Sequence, residues 1–96
     1  MQSIPSKKIE GNISGKAFGD VLRRLREGND LSQEALGFES GYHRTYISLL
    51  ERGRKSPSLQ TIFNLSKALK IEPDEMIKQV VVRIHILLQT TDNGND

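Results

Sequence analysis

The chain has 96 residues, no cysteine and no tryptophan, and a formal net charge of +2. This length accommodates one domain with a modest aliphatic core, and the lack of cysteine excludes disulfides and thiolate metal sites. The two histidines lie far apart without a chelating pattern, so we expect no metal and no cofactor. Without a membrane-length apolar run or a visible signal peptide, a cytoplasmic location is expected.

The N-terminal part predicts a flexible arm followed by a helix. Residues 1–13 mix serine, proline, lysine and glycine, a composition typical of a mobile arm. From Ser14 onward, apolar residues recur at steps of three and four, and the pattern stops at Gly28-Asn29-Asp30. The apolar positions of this first helix are Ala17, Phe18, Val21, Leu22 and Leu25.

Two short helices joined by a glycine turn are predicted next. Ser32 is a typical N-cap residue for the second helix, and Ser40-Gly41 ends that helix because glycine readily adopts the left-handed conformation. A third helix is predicted from about His43 to Glu51, with Ile47 and Leu50 facing inward.

Two further helices complete an all-α arrangement. Pro73 begins the fifth helix, as first-turn preferences predict. We favour helix through residues 80–90, although residues 82–86 alternate like a β-branched strand, because no helix breaker precedes them. Residues 91–96 predict a disordered polar tail. Ser58 caps the fourth helix, and its apolar residues predicted to be buried are Leu59, Ile62, Phe63, Leu65, Leu69 and Ile71.

Positive charge is concentrated in the middle of the chain. Residues 1–42 hold six basic and six acidic side chains, residues 43–70 hold six basic side chains against Glu51 alone, and residues 71–96 hold two against five. Clustered positive charge attracts DNA, because each neutralised phosphate releases condensed counterions. A solvated basic face without a ligand has the same composition, so the position of the charges decides between the two.

Two short helices around a tight glycine turn, packed on three others, form a helix-turn-helix domain. The segments 31–36, 40–48, 50–53 and 57–71 resemble the family of lambdoid phage repressors and Cro, the XRE family. The resemblance covers roughly residues 16–78 and implies a five-helix DNA-binding domain over residues 14–79. Within it, the run Arg44-Thr45-Tyr46-Ile47-Ser48 is similar to controller proteins of bacterial restriction–modification systems.

A recognition helix turns one face to the core and the other to the major groove. If Ile47 and Leu50 point inward, the opposite face carries the candidate base-reading residues Arg44, Thr45, Ser48 and Leu49, and the resemblance points to the same four. Arginine can donate two hydrogen bonds to guanine, hydroxyls can bond base edges, and leucine can contact a thymine methyl group. Alternatively, Arg44 is a solvated surface arginine or contacts a phosphate, and the hydroxyls of Thr45 and Ser48 only face solvent.

A second group of residues is expected to contact the DNA backbone. The resemblance implies phosphate contact for Gln33, at a helix N-terminus whose amides also attract anions. We interpret Arg52, Arg54 and Lys55, which follow the recognition helix, as phosphate contacts that position the protein without specifying sequence. For Tyr46, phosphate contact and partial burial both remain open.

The resemblance also implies an internal ion pair between Arg26 and Glu51, which would tie the first helix to the recognition helix. Glu51 is the one acidic residue in the basic stretch, and unpaired exposure to phosphate would be unfavourable. We therefore assign both residues a structural role.

The fifth helix is predicted to form a homodimer. Its apolar face exceeds what a core of this size requires, and large exposed apolar patches usually mark interfaces. Two-fold pairing through residues from about 70 to 88, with a dimerisation extension over residues 80–90, would make the operator a near-palindrome. Edge pairing of a strand, or packing of this segment on its own domain, is the alternative. The expected interface residues are Met76, Ile77, Val80, Val81, Ile84 and Leu88.

The sequence therefore predicts a transcriptional regulator that binds double-stranded DNA sequence-specifically as a homodimer. One alternative is an antitoxin that binds a partner protein through its C-terminal extension and DNA for autoregulation. Another is a protein adaptor, which would not need clustered basic residues. We expect neither an enzyme nor a membrane protein, because no convergent set of titratable or nucleophilic groups is visible.

Overall fold

The computed structural model describes residues 9–94, and the side chains of residues 9–90. This part of the chain forms five α-helices and no strand: α1 (Gly11–Gly28), α2 (Gln33–Ser40), α3 (Arg44–Glu51), α4 (Leu59–Ala68) and α5 (Pro73–Gly94). None of the described helices is long and apolar enough to cross a membrane. The predicted all-α, five-helix architecture is confirmed.

The ends of the short helices follow local sequence signals. The Ser32 hydroxyl accepts the backbone N–H of Ala35 at 2.9 Å, and the Ser58 hydroxyl accepts that of Thr61 at 3.1 Å. Gly41 ends α2 in the left-handed conformation, with φ of 84°. Such a residue reverses the chain within a few positions. As a result α2 and α3 form the predicted helix-turn-helix.

All five helices contribute to the core, with Leu36 from α2 and Leu65 from α4 beside the buried residues of α1, α3 and α5. Ile47 and Leu50 of α3 are fully buried, so the prediction that they point inward is confirmed. Each buried side chain of this size stabilises the fold by roughly 1.5–3 kcal/mol. Together they fix which side of α3 faces away from the protein.

The recognition helix packs directly on α1 at Gly19. A Cβ atom added there would lie 2.5 Å from the carbonyl oxygens of Leu50 and Glu51. Any larger residue would push the C-terminal end of α3 away from α1. The sequence analysis did not single out this glycine, although glycine inside a helix often marks close packing.

Two predictions near the N-terminus and on α4 are corrected. Helix α1 begins at Gly11, not Ser14, and Ile9 and Ile13 pack against the core, so the predicted arm overlaps the folded domain. Residues 1–8 of that arm lie outside the described residues. Leu59 and Phe63 were expected to be buried but are 67% and 44% exposed.

The alternative of a strand over residues 82–86 is also corrected. These residues lie within α5, which continues without interruption to Gly94. The predicted disordered tail therefore overlaps helix over residues 91–94, and residues 95 and 96 lie outside the described residues. Helix is favoured here because three residues at four-residue spacing, Met76, Val80 and Ile84, are buried together.

Candidate nucleic-acid interface

Helix α3 turns a polar face to solvent. Arg44 and Thr45 are exposed, and Ser48 and Leu49 are half-buried. The helical repeat centres this set of residues opposite the buried Ile47 and Leu50, with Arg44 at the edge of the set, three residues before Ile47. The geometry that the base-reading prediction requires is therefore present, while base contact itself remains a prediction.

His43 is the N-cap of this helix. Its Nδ1 accepts the backbone N–H of Thr45 at 3.0 Å, so the helix begins at Arg44, in agreement with the predicted start at about His43. An imidazole nitrogen accepts a hydrogen bond only when it is unprotonated. In this arrangement the neutral ring therefore carries its hydrogen on Nε2.

Arg44 is paired across the helix-turn-helix with Glu34. One guanidinium nitrogen, Nη1, lies 3.7 Å from Glu34 Oε2, and the two side chains are 66% and 77% exposed. Exposed ion pairs contribute about 0–1 kcal/mol. A nucleic acid can therefore displace Glu34 from Arg44 at little cost. The sequence analysis did not identify this pair.

The three basic residues after α3 are all exposed. Arg52 immediately follows the helix, and Arg54 and Lys55 lie in the segment that leads to α4. They form a set of cations beside one end of the recognition helix. This placement is compatible with the predicted phosphate contacts, which remain predictions.

Gln33 and Tyr46 are both half-buried and have partners within the chain. The Gln33 side-chain nitrogen donates to Glu51 Oε1 at 3.0 Å. This bond uses one of its two amide hydrogens, so the other can still reach a phosphate. The Tyr46 hydroxyl lies 3.3 Å from Thr61 Oγ1, so the open alternative of partial burial is what the structure shows.

Glu51, the last residue of α3, is the centre of a buried charge cluster. Its carboxylate lies 2.5 Å from Arg26 Nε and 3.4 Å from Arg23 Nε. Arg26 also donates to the Leu31 carbonyl oxygen at 2.8 Å. The predicted pair of Arg26 and Glu51 is confirmed, and Arg23 and Gln33 join it unexpectedly.

The cluster keeps both partners charged. Burial alone would raise the pKa of Glu51, but hydrogen bonds from Arg26 and Gln33 and the charge of Arg26 outweigh it, so this pKa lies below its ordinary value. The hydrogen bond to Glu51 raises the pKa of Arg26, against the opposing effect of burial. The negative charge of Glu51, the one acid of the basic stretch, is therefore balanced by arginine inside the fold.

We expect acid to destabilise the protein through Glu51. A carboxyl with a lower pKa in the folded state contributes its full stabilisation above its unfolded pKa and loses it as the pH falls through the folded pKa. The free energy of unfolding, measured by urea denaturation, is expected to fall from about pH 5 downward. Glu51→Gln, which cannot titrate, is expected to show a shallower decline. Equal declines would assign the acid sensitivity to other carboxyls.

Three of the six predicted dimer residues belong to the chain's own core. Met76, Val80 and Ile84 are 0%, 8% and 6% exposed because α5 packs on α1. The packing is reinforced by the ion pair of Arg83 with Asp20, at 2.9 Å. The assignment of these three residues to an interface between chains is therefore corrected.

The other three lie on an adjacent side of α5. Ile77 is 38% exposed, and Val81 and Leu88 are half-buried. On α4, Phe63 lines a cleft with Pro73 at the start of α5, one turn before Ile77. The surface between α4 and α5 carries both apolar and charged residues, because this cleft is also lined by Ser66, Lys67, Lys70, Ile71 and Glu72.

A helix-turn-helix whose recognition helix exposes polar residues beside a set of cations is typical of DNA-binding helix-turn-helix proteins, and this is the class of the protein. The chain matches the helix-turn-helix family over residues 22–76, and it belongs to this family of DNA-binding transcriptional regulators. The predicted resemblance to the XRE family is confirmed.

Within this family, three named relatives are control or controller proteins. The chain is 44% identical over 61 residues to the control protein C.BamHI of Bacillus amyloliquefaciens, covering 62% of this chain and 75% of that protein. It is 41% identical over 60 residues to the control protein C.SmaI of Serratia marcescens, covering 62% and 71%. The crystal structure of the restriction–modification controller protein C.AhdI from Aeromonas hydrophila is 47% identical, with a TM-score of 0.63, over 65% of this chain and 94% of that one. The predicted similarity to controller proteins is confirmed.

Proposed function

We propose that this regulator binds a near-palindromic operator as a homodimer and controls genes of a restriction–modification system. The observation that carries the proposal is the outward face of α3, where Arg44 and Thr45 are exposed opposite the buried Ile47 and Leu50. The link to restriction–modification rests on the controller proteins that the chain resembles.

In this proposal Arg44 leaves Glu34 and donates two hydrogen bonds to a guanine in the major groove. Thr45 and Ser48 hydrogen-bond neighbouring base edges, and Leu49 contacts a thymine methyl group or the sugar. Because Arg44 lies in the first turn of α3, it enters the groove with the N-terminal end of the helix.

Backbone contacts hold the helix in register. Arg52, Arg54, Lys55 and the free amide hydrogen of Gln33 are assigned to phosphates, and Tyr46 remains a candidate for the same role. The buried position of Glu51, with a side chain 0% exposed, supports this assignment because it removes the one acid of residues 43–70 from the surface. Such contacts raise affinity for every sequence alike.

Lys55→Ala is expected to weaken binding uniformly, on selected and unrelated duplexes alike. Loss of one phosphate contact is expected to reduce the slope of log affinity against log salt by about one. Titrations at several salt concentrations measure this slope. Lys78→Ala is the control, because Lys78 lies on α5 and not beside the recognition helix, and it pairs there with Glu75 at 3.5 Å. An unchanged slope in Lys55→Ala would remove this residue from the interface.

We assign the homodimer to the apolar residues that α4 and α5 expose. Leu59, Phe63 and Ile77 are exposed, and Val81 and Leu88, further along α5, are half-buried. Exposed apolar side chains grouped in this way favour association between copies of a chain. A two-fold contact would present both recognition helices to one side of the duplex.

Replacement of Phe63 and Ile77 together by aspartate is expected to produce monomers in sedimentation velocity, because charges would then face each other across the contact. Phe38→Asp is the matched control. Phe38 is 86% exposed but lies on α2, where it lines a cleft with Glu34 and Arg44. Dimers that persist in the double variant would locate the interface elsewhere.

Selection of bound sequences from a random duplex library tests the whole proposal. The expected result is two inverted half-sites with centres about one helical turn apart. Enrichment of isolated half-sites would argue against the homodimer. A pool without enrichment would overturn sequence-specific binding.

The antitoxin hypothesis receives no support. The named relatives are control or controller proteins. In addition, Val80 and Ile84 of the C-terminal extension, through which an antitoxin would bind its partner protein, are buried in this chain's own core.

A further inference from the structure

A cluster of four hydroxyl groups joins the recognition helix to α4. Thr61, in the first turn of α4, is 5% exposed. Its Oγ1 lies 3.3 Å from the Tyr42 hydroxyl, 3.3 Å from the Tyr46 hydroxyl and 2.9 Å from the Ser58 hydroxyl. Asn64 Nδ2 donates to the Tyr42 hydroxyl at 2.9 Å. Thr61 is therefore the shared partner of three hydroxyl groups.

Hydrogen-bond counting shows how much depends on Thr61. The Tyr42 hydroxyl accepts from Asn64 and donates its one hydrogen to Thr61. The hydrogen of Thr61 in turn goes to Tyr46 or to Ser58. Without this hydroxyl, Tyr42 loses its acceptor and Tyr46 its partner. Half-buried polar groups without partners are unfavourable, so the rings would shift toward other partners.

The two tyrosines hold the N-terminal half of α3. Tyr42 lies in the turn before the helix and Tyr46 in its first turn, and their ring centroids are 5.1 Å apart with a 50° tilt. Glu51 anchors the opposite end of the helix to α1. Arg44 and Thr45 therefore lie at the end of α3 that depends on the hydroxyl cluster.

We propose that Thr61 is a positioning residue for base recognition. It fixes the tyrosines that orient the first turn of α3, and thereby the direction in which Arg44 enters the groove. This role rests on the function proposed above. Bidentate bonds to a base tolerate little misalignment, whereas phosphate contacts by flexible lysine and arginine side chains tolerate more. Loss of the hydroxyl therefore lowers discrimination between sequences more than overall affinity for DNA.

The test compares affinity for the operator selected by the wild-type protein with affinity for an unrelated duplex. Thr61→Val is expected to lower operator affinity about tenfold and to change the affinity for the unrelated duplex by less than about twofold. Thr61→Ser keeps the hydroxyl and is expected to restore discrimination. Ser66→Ala is the matched control. Ser66 is a buried hydroxyl of the same helix that donates to the Phe63 carbonyl oxygen at 3.0 Å.

Parallel losses on both duplexes, failure of serine to restore discrimination, or an equal shift in Ser66→Ala would each overturn the role of Thr61. If Thr61→Val does not fold, Tyr42→Phe provides the test, because it removes the hydroxyl donor and keeps the ring. An unchanged ratio in that folded variant would also overturn the role. A wild-type protein that selects no operator would instead overturn the proposed function.

Discussion

We expect Arg44→Ala to lower affinity for the selected operator by about 1–3 kcal/mol and to relax the preference at one base pair of each half-site. The reason is that a bidentate arginine bond distinguishes guanine from the other bases. Affinity for an unrelated duplex is expected to fall much less. Titration of the operator and of single-base variants measures both quantities.

Two variants separate base recognition from other consequences of the change. Arg24→Ala removes an exposed arginine of α1 that donates to Gln79 on α5 at 2.8 Å, and it is expected to leave operator affinity nearly unchanged. Glu34→Gln breaks the ion pair with Arg44 but keeps the arginine, so it is expected to preserve the base preference. An equal loss on every duplex would make Arg44 a phosphate contact.

Four helix ends could be predicted because their signals are local. Ser32, Ser58, Gly41 and Pro73 act within one helical turn of their own positions, so neighbouring residues contain the necessary information. The outward face of α3 was predictable for a related reason. Two inward residues, Ile47 and Leu50, define the opposite side of so short a helix.

Which apolar residues are buried could not be predicted from helical spacing alone. On α5 the stripe was recognised, but whether α1 or a second copy covers Met76, Val80 and Ile84 depends on tertiary packing. Four of the six apolar residues assigned to the fourth helix lie within α4 and extend around more than one face, so Leu59 and Phe63 could not be distinguished from the buried ones.

The charge cluster was only partly predictable because its members come from distant parts of the chain. The family resemblance implied Arg26 with Glu51. Arg23 and Gln33 join the carboxylate because Gly19 lets α3 approach α1 and because α2 begins beside it. Nothing in the local sequence of either residue indicates this partner.

Glu51→Ala is expected to have the largest effect on stability, lowering the free energy of unfolding by about 3–5 kcal/mol. The physical reason is that the variant leaves Arg26, whose side chain is only 12% exposed, as a poorly solvated cation without its counterion. Urea denaturation at neutral pH measures the change. Lys16→Ala is the control, since the Lys16 side chain is 62% exposed and its pair with Asp20 at 3.6 Å is expected to contribute less than about 1 kcal/mol.

A double variant distinguishes loss of the ion pair from loss of packing. Arg26→Met combined with Glu51→Ala removes the stranded charge and keeps much of the arginine's apolar volume, so it is expected to be more stable than Glu51→Ala alone. If the double variant is the less stable of the two, packing of the arginine stem, not its uncompensated charge, dominates. If Glu51→Ala costs less than about 1 kcal/mol, the cluster is no more stabilising than a surface pair. The C-terminal end of α3 would then be held to α1 mainly by Leu50 and the close approach at Gly19.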